Sequence, residues 1–161
     1  MIEISVAQTK QDSGEVLEGG AEVVWNGDLK SGAGSLRFQL GAGGVLPLRW
    51  PGSPDFGPGA TSPEELAAAA HAACFTMTLA HTLARQGHRP SQIVAEAKAT
   101  FGTAEGVRLI RKSRLNVTVA ADGVSEADLG PAAELAGRYC PVSNTLRVAG
   151  AQLDVEIRLA V

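Results

Sequence analysis

The chain has 161 residues, of which 45% are hydrophobic and 19% are charged, and its formal net charge is -3. This length predicts a single domain over 1–161 that can bury a core of its own. The sequence has no basic cluster, which argues against a nucleic-acid partner. Its first residues lack the basic segment and apolar run of a secretory signal, so we expect a cytoplasmic protein.

The first third of the chain predicts strands and loops. Residues 1–20 predict a strand or an extended N-terminal arm. Residues 21–40 predict a β-hairpin, because two apolar runs flank the turn sequence Asn26-Gly27-Asp28. The Gly- and Pro-rich stretch 41–62 predicts a loop, with one short strand near 45–49.

A long apolar helix follows. Ser62 is a good N-cap, Pro63 suits the first helical position, and Glu65 stands where a capping box needs it. Gly87 predicts the end of the helix after about 24 residues. The helix is rich in alanine and contains two histidines, so we expect a buried helix and no membrane span.

The remaining segments predict an α+β fold. Residues 92–102 and 106–121 alternate with period two, which predicts an antiparallel pair of strands. A second helix is expected over 125–140, broken near Gly130 and Pro131, and a third short helix begins at Pro141. A last strand covers 151–161. The order predicts long helices packed on antiparallel sheet.

The two cysteines are the first candidates for chemistry. Cys74 lies in the middle of the long helix, and Cys140 directly precedes Pro141, near the free amides of the third helix, which favour a thiolate. In a cytoplasmic protein such cysteines are more often inert, metal-binding or redox-active than a static disulfide. A buried cysteine is also an ordinary small hydrophobe, so the sequence leaves a packing role open.

The histidines leave two further alternatives open. His71 precedes Cys74 by three residues, which allows a Cys–His nucleophile pair of a hydrolase, whereas a satisfied core histidine is the more common case. His81 and His88 complete the set. Their spacing matches no metal motif, and we expect no metal site.

Charged residues near this helix complete the candidates. Glu64, in the first turn, has an ordinary role in compensating the helix dipole. Arg49 lies among prolines and apolar residues, where an arginine is often paired with a carboxylate or packed along Trp50. Arg37 is a second candidate cation.

Two motifs resemble one known family. The segments TSPEELAAAAHAACFTMTLAHTLARQG (61–87) and CPVSNTL (140–146) are similar to those of the OsmC/Ohr proteins, the osmotically inducible and organic hydroperoxide resistance proteins, and closest to the OsmC branch. The segment WNGDLKSGAGSL (25–36) resembles a hairpin of that branch. The resemblance implies an intertwined α+β homodimer, with antiparallel sheets packed around two long central helices and active sites at the subunit interface.

The resemblance also implies a function. It maps the peroxidatic cysteine to Cys74, the resolving cysteine to Cys140, the thiolate-stabilising arginine to Arg49 and its partner carboxylate to Glu64. The loop over 50–61 is longer than expected for the branch, so Arg37 is the reserve arginine. The expected activity is reduction of organic hydroperoxides through an intramolecular disulfide, in response to oxidative or osmotic stress. No cofactor is implied, and an external thiol, with dihydrolipoyl proteins as a candidate, is the expected reductant.

A second function is also compatible with the sequence. An apolar pocket at a dimer interface could carry an apolar ligand without any chemistry, and both thiols would then be inert. Thiol reactivity separates the two hypotheses, because an inert cysteine keeps an ordinary or raised pKa.

Overall fold

The computed structural model describes residues 18–160, which group into two compact units that meet in sequence at Ala60 and Thr61. The single domain over 1–161 stays a prediction. Most of the predicted N-terminal arm (1–17) lies outside the described residues.

The first unit contains a three-stranded antiparallel sheet in the order β1-β2-β3. Its strands are β1 (Ala21–Asn26), β2 (Ala33–Phe38) and β3 (Val45–Leu48). The predicted hairpin and the predicted short strand are thereby confirmed. Gly27 takes a φ of 92° at the turn, a conformation that costs glycine little because it has no Cβ.

The second unit contains a mixed sheet in the order β4-β5-β6. Strands β4 (Pro90–Ala104) and β5 (Val107–Ala121) form the predicted antiparallel pair. Strand β6 (Gln152–Leu159) pairs parallel to β5, whereas only antiparallel pairing was expected. The chain returns to the sheet through two helices, and a crossover of this kind delivers a parallel strand.

The long helix α1 (Pro63–Arg85) begins as predicted. The backbone N–H of Glu65 donates to Ser62 Oγ and that of Ser62 donates to Glu65 Oε2, both at 3.2 Å. This reciprocal capping box satisfies two amides that the helix leaves free. After Gln86, Gly87 takes a φ of 90°, which ends the helix.

Two helices connect β5 to β6, namely α2 (Glu126–Tyr139) and α3 (Pro141–Val148). The predicted break near Gly130 and Pro131 is wrong, because α2 runs through both residues without interruption. Gly130 has no Cβ to clash with the proline ring, and the missing N–H of Pro131 removes one hydrogen bond close to the start of the helix.

The core of the second unit lies between α1, α2 and the sheet. Phe75, Leu79 and Leu83 recur every four residues on α1 and are fully buried. They pack in one cluster with alternate residues of β5 and one face of α2: Leu115, Val117, Val119, Leu129, Ala132 and Ala136. Among the described residues, α1 is the one helix long and apolar enough to cross a membrane, a test that a buried core helix also passes. Within the described chain only one face of α1 is buried, whereas a buried helix was expected.

Candidate active site

The structure brings the two cysteines together. The Sγ atoms of Cys74 and Cys140 lie 2.9 Å apart, and both residues are free thiols. Cys74 is partly exposed in the middle of α1, whereas Cys140 is buried. Of the two sulfurs, that of Cys74 is therefore the more accessible to a substrate.

Cys140 occupies the single residue between α2 and α3. It ends the first helix and caps the second, with an extended backbone (φ -70°, ψ 113°) that suits a residue before proline. The backbone N–H of Ser143 donates to Cys140 Sγ at 3.4 Å. The expected place of Cys140 at the N-terminus of a third helix is confirmed, and its sulfur there accepts from a free helix amide.

The surroundings of Cys74 oppose ionisation of its thiol. Burial raises the pKa of Cys74 above 9.0, and the hydrogen bond and charge of Cys140 act in the same direction. The backbone amide of Val142 and the hydroxyl of Thr78 lower this pKa, but less strongly than burial and the Cys140 hydrogen bond raise it. No cation is among the groups that shift the pKa within the described chain. A positive charge or a further hydrogen-bond donor near Cys74 would be needed to offset this rise in the pKa.

His71 is a satisfied core histidine. It is 1% exposed, with Nδ1 2.7 Å from Ser113 Oγ on β5 and Nε2 2.8 Å from Ser143 Oγ on α3. Burial lowers the pKa of His71 below 6.5, which favours the neutral ring. Both ring nitrogens are engaged by serines, so His71 does not act as the base of a Cys–His nucleophile pair.

The serine partners of His71 were not recognised in the sequence. Ser113 stands in the buried register of β5, two residues before Leu115, where alternation predicts an apolar side chain. A buried polar residue needs a hydrogen-bond partner. That mismatch was the available signal, but it does not name the partner.

Glu64 is left without a hydrogen bond. Its Oε2 is buried and has no partner among the described residues, whereas the neighbouring Glu65 is engaged in the capping box. A buried carboxylate oxygen without a donor is costly. Glu64 therefore has an acceptor free for a positively charged group.

The candidate arginines belong to the first unit. Arg49 follows β3, is partly buried, and donates from Nη1 to the carbonyl oxygen of Gly32 at 3.2 Å. Arg37 lies on β2 and is exposed. The role of either arginine toward Cys74 stays a prediction. Within residues 18–160, no three His, Cys, Asp or Glu side chains converge as a metal site.

Comparisons with known sequences place the chain among its relatives. The family model described as OsmC-like protein matches residues 55–156. The chain is also 32% identical over 134 residues to the peroxiredoxin OsmC of Escherichia coli K12. The aligned residues cover 83% of this chain and 92% of that protein.

Solved structures share the fold. An OsmC-like protein from Vibrio cholerae has a TM-score of 0.70 at 20% identity, with 89% of this chain and 100% of that chain covered. The organic hydroperoxide resistance protein OhrB of Bacillus subtilis has a TM-score of 0.65 at 24% identity, with 88% and 98% covered. The α+β fold predicted from the resemblance is thus confirmed. By its family model and its curated relative, this chain belongs to the OsmC-like protein family.

Proposed function

We propose that this OsmC-like protein is a cysteine-based peroxidase that reduces organic hydroperoxides to alcohols, in response to oxidative or osmotic stress. A peroxidase-type redox role follows from its homology to the E. coli peroxiredoxin. The observation that carries the finer proposal is the 2.9 Å separation of the two free thiols. At this distance, a sulfenic acid formed on one sulfur can condense with the other thiol to give a disulfide.

In the first step, the Cys74 thiolate attacks the distal oxygen of the hydroperoxide. The S–O bond forms as the O–O bond breaks, and the leaving alkoxide takes a proton to become the alcohol. The sulfur is oxidised to the sulfenic acid, and the peroxide is reduced. The partial exposure of Cys74, against the burial of Cys140, supports this assignment.

In the second step, the sulfur of Cys140 attacks the sulfenic sulfur of Cys74. A disulfide forms, and the hydroxide leaves with a proton as water. An external thiol reductant, with a dihydrolipoyl protein as the candidate, returns both residues to thiols. The Ser143 amide that faces Cys140 Sγ supports this role, because it stabilises negative charge on the attacking sulfur.

Arg49 and Glu64 are the proposed charged partners of the first step. A guanidinium beside Cys74 would favour its thiolate and offset the raised pKa that burial produces. A carboxylate alone near the thiol would act in the opposite direction, so Glu64 is proposed to hold the guanidinium. Its buried, unpartnered Oε2 supports this role. Arg37 remains the reserve.

We also infer a cytoplasmic homodimer with its active sites at the subunit interface. Supporting this, α1 exposes a band of small and apolar side chains, namely Ala69, Ala70, Ala73 and Met77. Met77 is 68% exposed. An apolar band of this kind on a core helix is typical of a surface that a partner covers.

One observation favours the alternative function. The raised pKa of Cys74 suits an inert thiol in a non-enzymatic carrier of an apolar ligand. The carrier hypothesis predicts that neither cysteine reacts with a hydroperoxide.

Intact mass after one equivalent of cumene hydroperoxide separates the two functions. The peroxidase is expected to lose about two mass units per subunit, since disulfide formation removes two hydrogens. Its titratable thiols should fall from 2 to none. Cys74→Ser should leave the peroxide unconsumed. An unchanged mass in the parent protein, with both thiols still titratable after unfolding, would support the carrier.

A further inference from the structure

A buried chain of hydrogen bonds joins α1, β5 and α3. His71 on α1 binds Ser113 on β5 through Nδ1 and Ser143 on α3 through Nε2, at 2.7 and 2.8 Å. All three side chains are at most 2% exposed. Of these three residues, the mechanism proposed above uses only the backbone amide of Ser143 and none of the side chains.

Helix α3 depends on contacts with its neighbours. It has eight residues, and an isolated helix of that length is unstable in water. Only Ser143 and Leu146 are buried on it. Val142 also packs against the core, and Asn144 and Arg147 donate to backbone carbonyls of α2 at the surface. Ser143 is therefore the one buried polar side chain among the contacts that hold this helix, and it is bound by His71.

Ser143 connects this anchor to the resolving sulfur. Its hydroxyl lies 2.8 Å from His71 Nε2, while its backbone N–H donates to Cys140 Sγ at 3.4 Å. A displacement of the Ser143 side chain would move the amide that faces the sulfur. It would also move the first turn of α3, which begins directly after Cys140.

The two chemical steps depend on this turn to different degrees. Attack on a peroxide needs the sulfur of Cys74, which is carried in the middle of the 23-residue helix α1. The first turn of α3 acts on this step only through the Val142 amide and Cys140, whose effects on the pKa of Cys74 oppose each other. Condensation needs the sulfur of Cys140 within bonding reach of that of Cys74. Displacing a reacting group by about 1 Å can cost about a hundredfold in rate.

We propose that His71 and Ser143 are positioning residues for disulfide formation, which hold the first turn of α3 so that Cys140 faces the oxidised Cys74. This inference rests on the proposed peroxidase function. The step is the condensation of the Cys74 sulfenic acid with the Cys140 thiol, in which the S–S bond forms, the S–O bond breaks and water leaves. Neither His71 nor Ser143 touches the peroxide.

The test is a single turnover with stoichiometric cumene hydroperoxide, in which three quantities are followed: peroxide loss, sulfenic acid trapped by dimedone, and disulfide. Ser143→Ala should consume peroxide within about twofold of the parent rate, yet form the disulfide about tenfold or more slowly. Sulfenic acid should therefore accumulate. His71→Gln should show the same separation of the two rates, and Ser143→Thr, which keeps the hydroxyl, should restore disulfide formation.

Thr145→Ala is the matched control. Thr145 lies on the same helix and also loses a hydroxyl hydrogen bond, but its bond goes to the Pro141 carbonyl on the exposed side. Its disulfide should form at the parent rate. If Ser143→Ala resolves as fast as the parent, or slows both steps equally, the positioning role is refuted. Unfolding of both Ser143→Ala and His71→Gln would assign the network to stability and also overturn the proposal.

The parent protein distinguishes this failure from that of the proposed function. A parent that forms neither sulfenic acid nor disulfide refutes the peroxidase itself. A parent that forms the disulfide, with variants that form it equally fast, refutes only the positioning role.

Discussion

Cys74 Sγ and Cys140 Sγ lie 2.9 Å apart, although 66 positions separate the two residues in the chain. The middle of α1 supplies one sulfur, and the single residue between α2 and α3 supplies the other. The proximity is thus a product of how three helices pack on one sheet. The roles of the two cysteines can be separated by replacing one of them at a time.

Cys140→Ser should keep the first step and lose the second. We expect about one equivalent of hydroperoxide to be consumed per subunit, with Cys74 left as a sulfenic acid, because no second thiol remains to condense with it. Dimedone labelling and mass spectrometry measure the product. Cys74→Ser is the control and should give no adduct. Peroxide consumption by Cys140→Ser without any sulfenic acid would contradict the assignment.

Arg49→Gln should move the reaction to higher pH. Burial and Cys140 raise the pKa of Cys74 above 9.0, and a cation would lower it. Without that cation the thiolate fraction at pH 7 should fall roughly tenfold per unit of pKa change. The pH profile of peroxide consumption gives the midpoint of the Cys74 ionisation, which should lie at higher pH in Arg49→Gln than in the parent.

The control for Arg49 is Arg37→Gln, an exposed arginine of the same unit. Its profile should match that of the parent. A shifted midpoint in Arg37→Gln together with an unshifted one in Arg49→Gln would transfer the role to the reserve arginine.

Ala73→Glu should prevent the predicted dimer. Ala73 is exposed on α1 within the band that includes Met77, and a buried unpaired carboxylate at an interface is strongly unfavourable. Sedimentation should show a dimer for the parent and a monomer for the variant. Ala127→Glu places the same charge on an exposed position of α2 and should remain dimeric. A parent that sediments as a monomer in dilute neutral buffer would count against the intertwined fold.

His71 should make stability depend on pH near neutrality. Burial lowers its pKa below the 6.5 of the unfolded chain, so the unfolded state binds more protons at mildly acidic pH. The free energy of unfolding should therefore be highest above pH 6.5 with respect to His71. It should decrease as the pH falls below 6.5, by at most about 1.4 kcal/mol per pH unit. Urea unfolding between pH 5 and 8 measures the slope.

In His71→Gln this slope should be reduced. The aspartates whose pKa values are lowered below 3.8 (Asp28, Asp128 and Asp154) titrate at lower pH and leave this range clear. Equal slopes in the parent and in His71→Gln would mean that the ring is not held neutral.

Local interactions account for what the sequence predicted well. The capping box of Ser62 and Glu65 is formed by side chains and amides three residues apart, so its partners can be read directly from their spacing. Pro141 likewise begins α3, because its φ and its missing N–H suit a first helical position. The alternation of β5 also follows from strand geometry alone.

Contacts between distant segments decided the rest. The parallel pairing of β6 and the serine partners of His71 both depend on packing. The two cysteine motifs, by their resemblance to the family, predicted a redox pair, but their spacing in sequence carries no distance. Local residue chemistry thus determined the elements and their ends, whereas the separation of the two sulfurs was set by tertiary structure, because burial of the apolar faces of α1, α2 and β5 brings remote residues together.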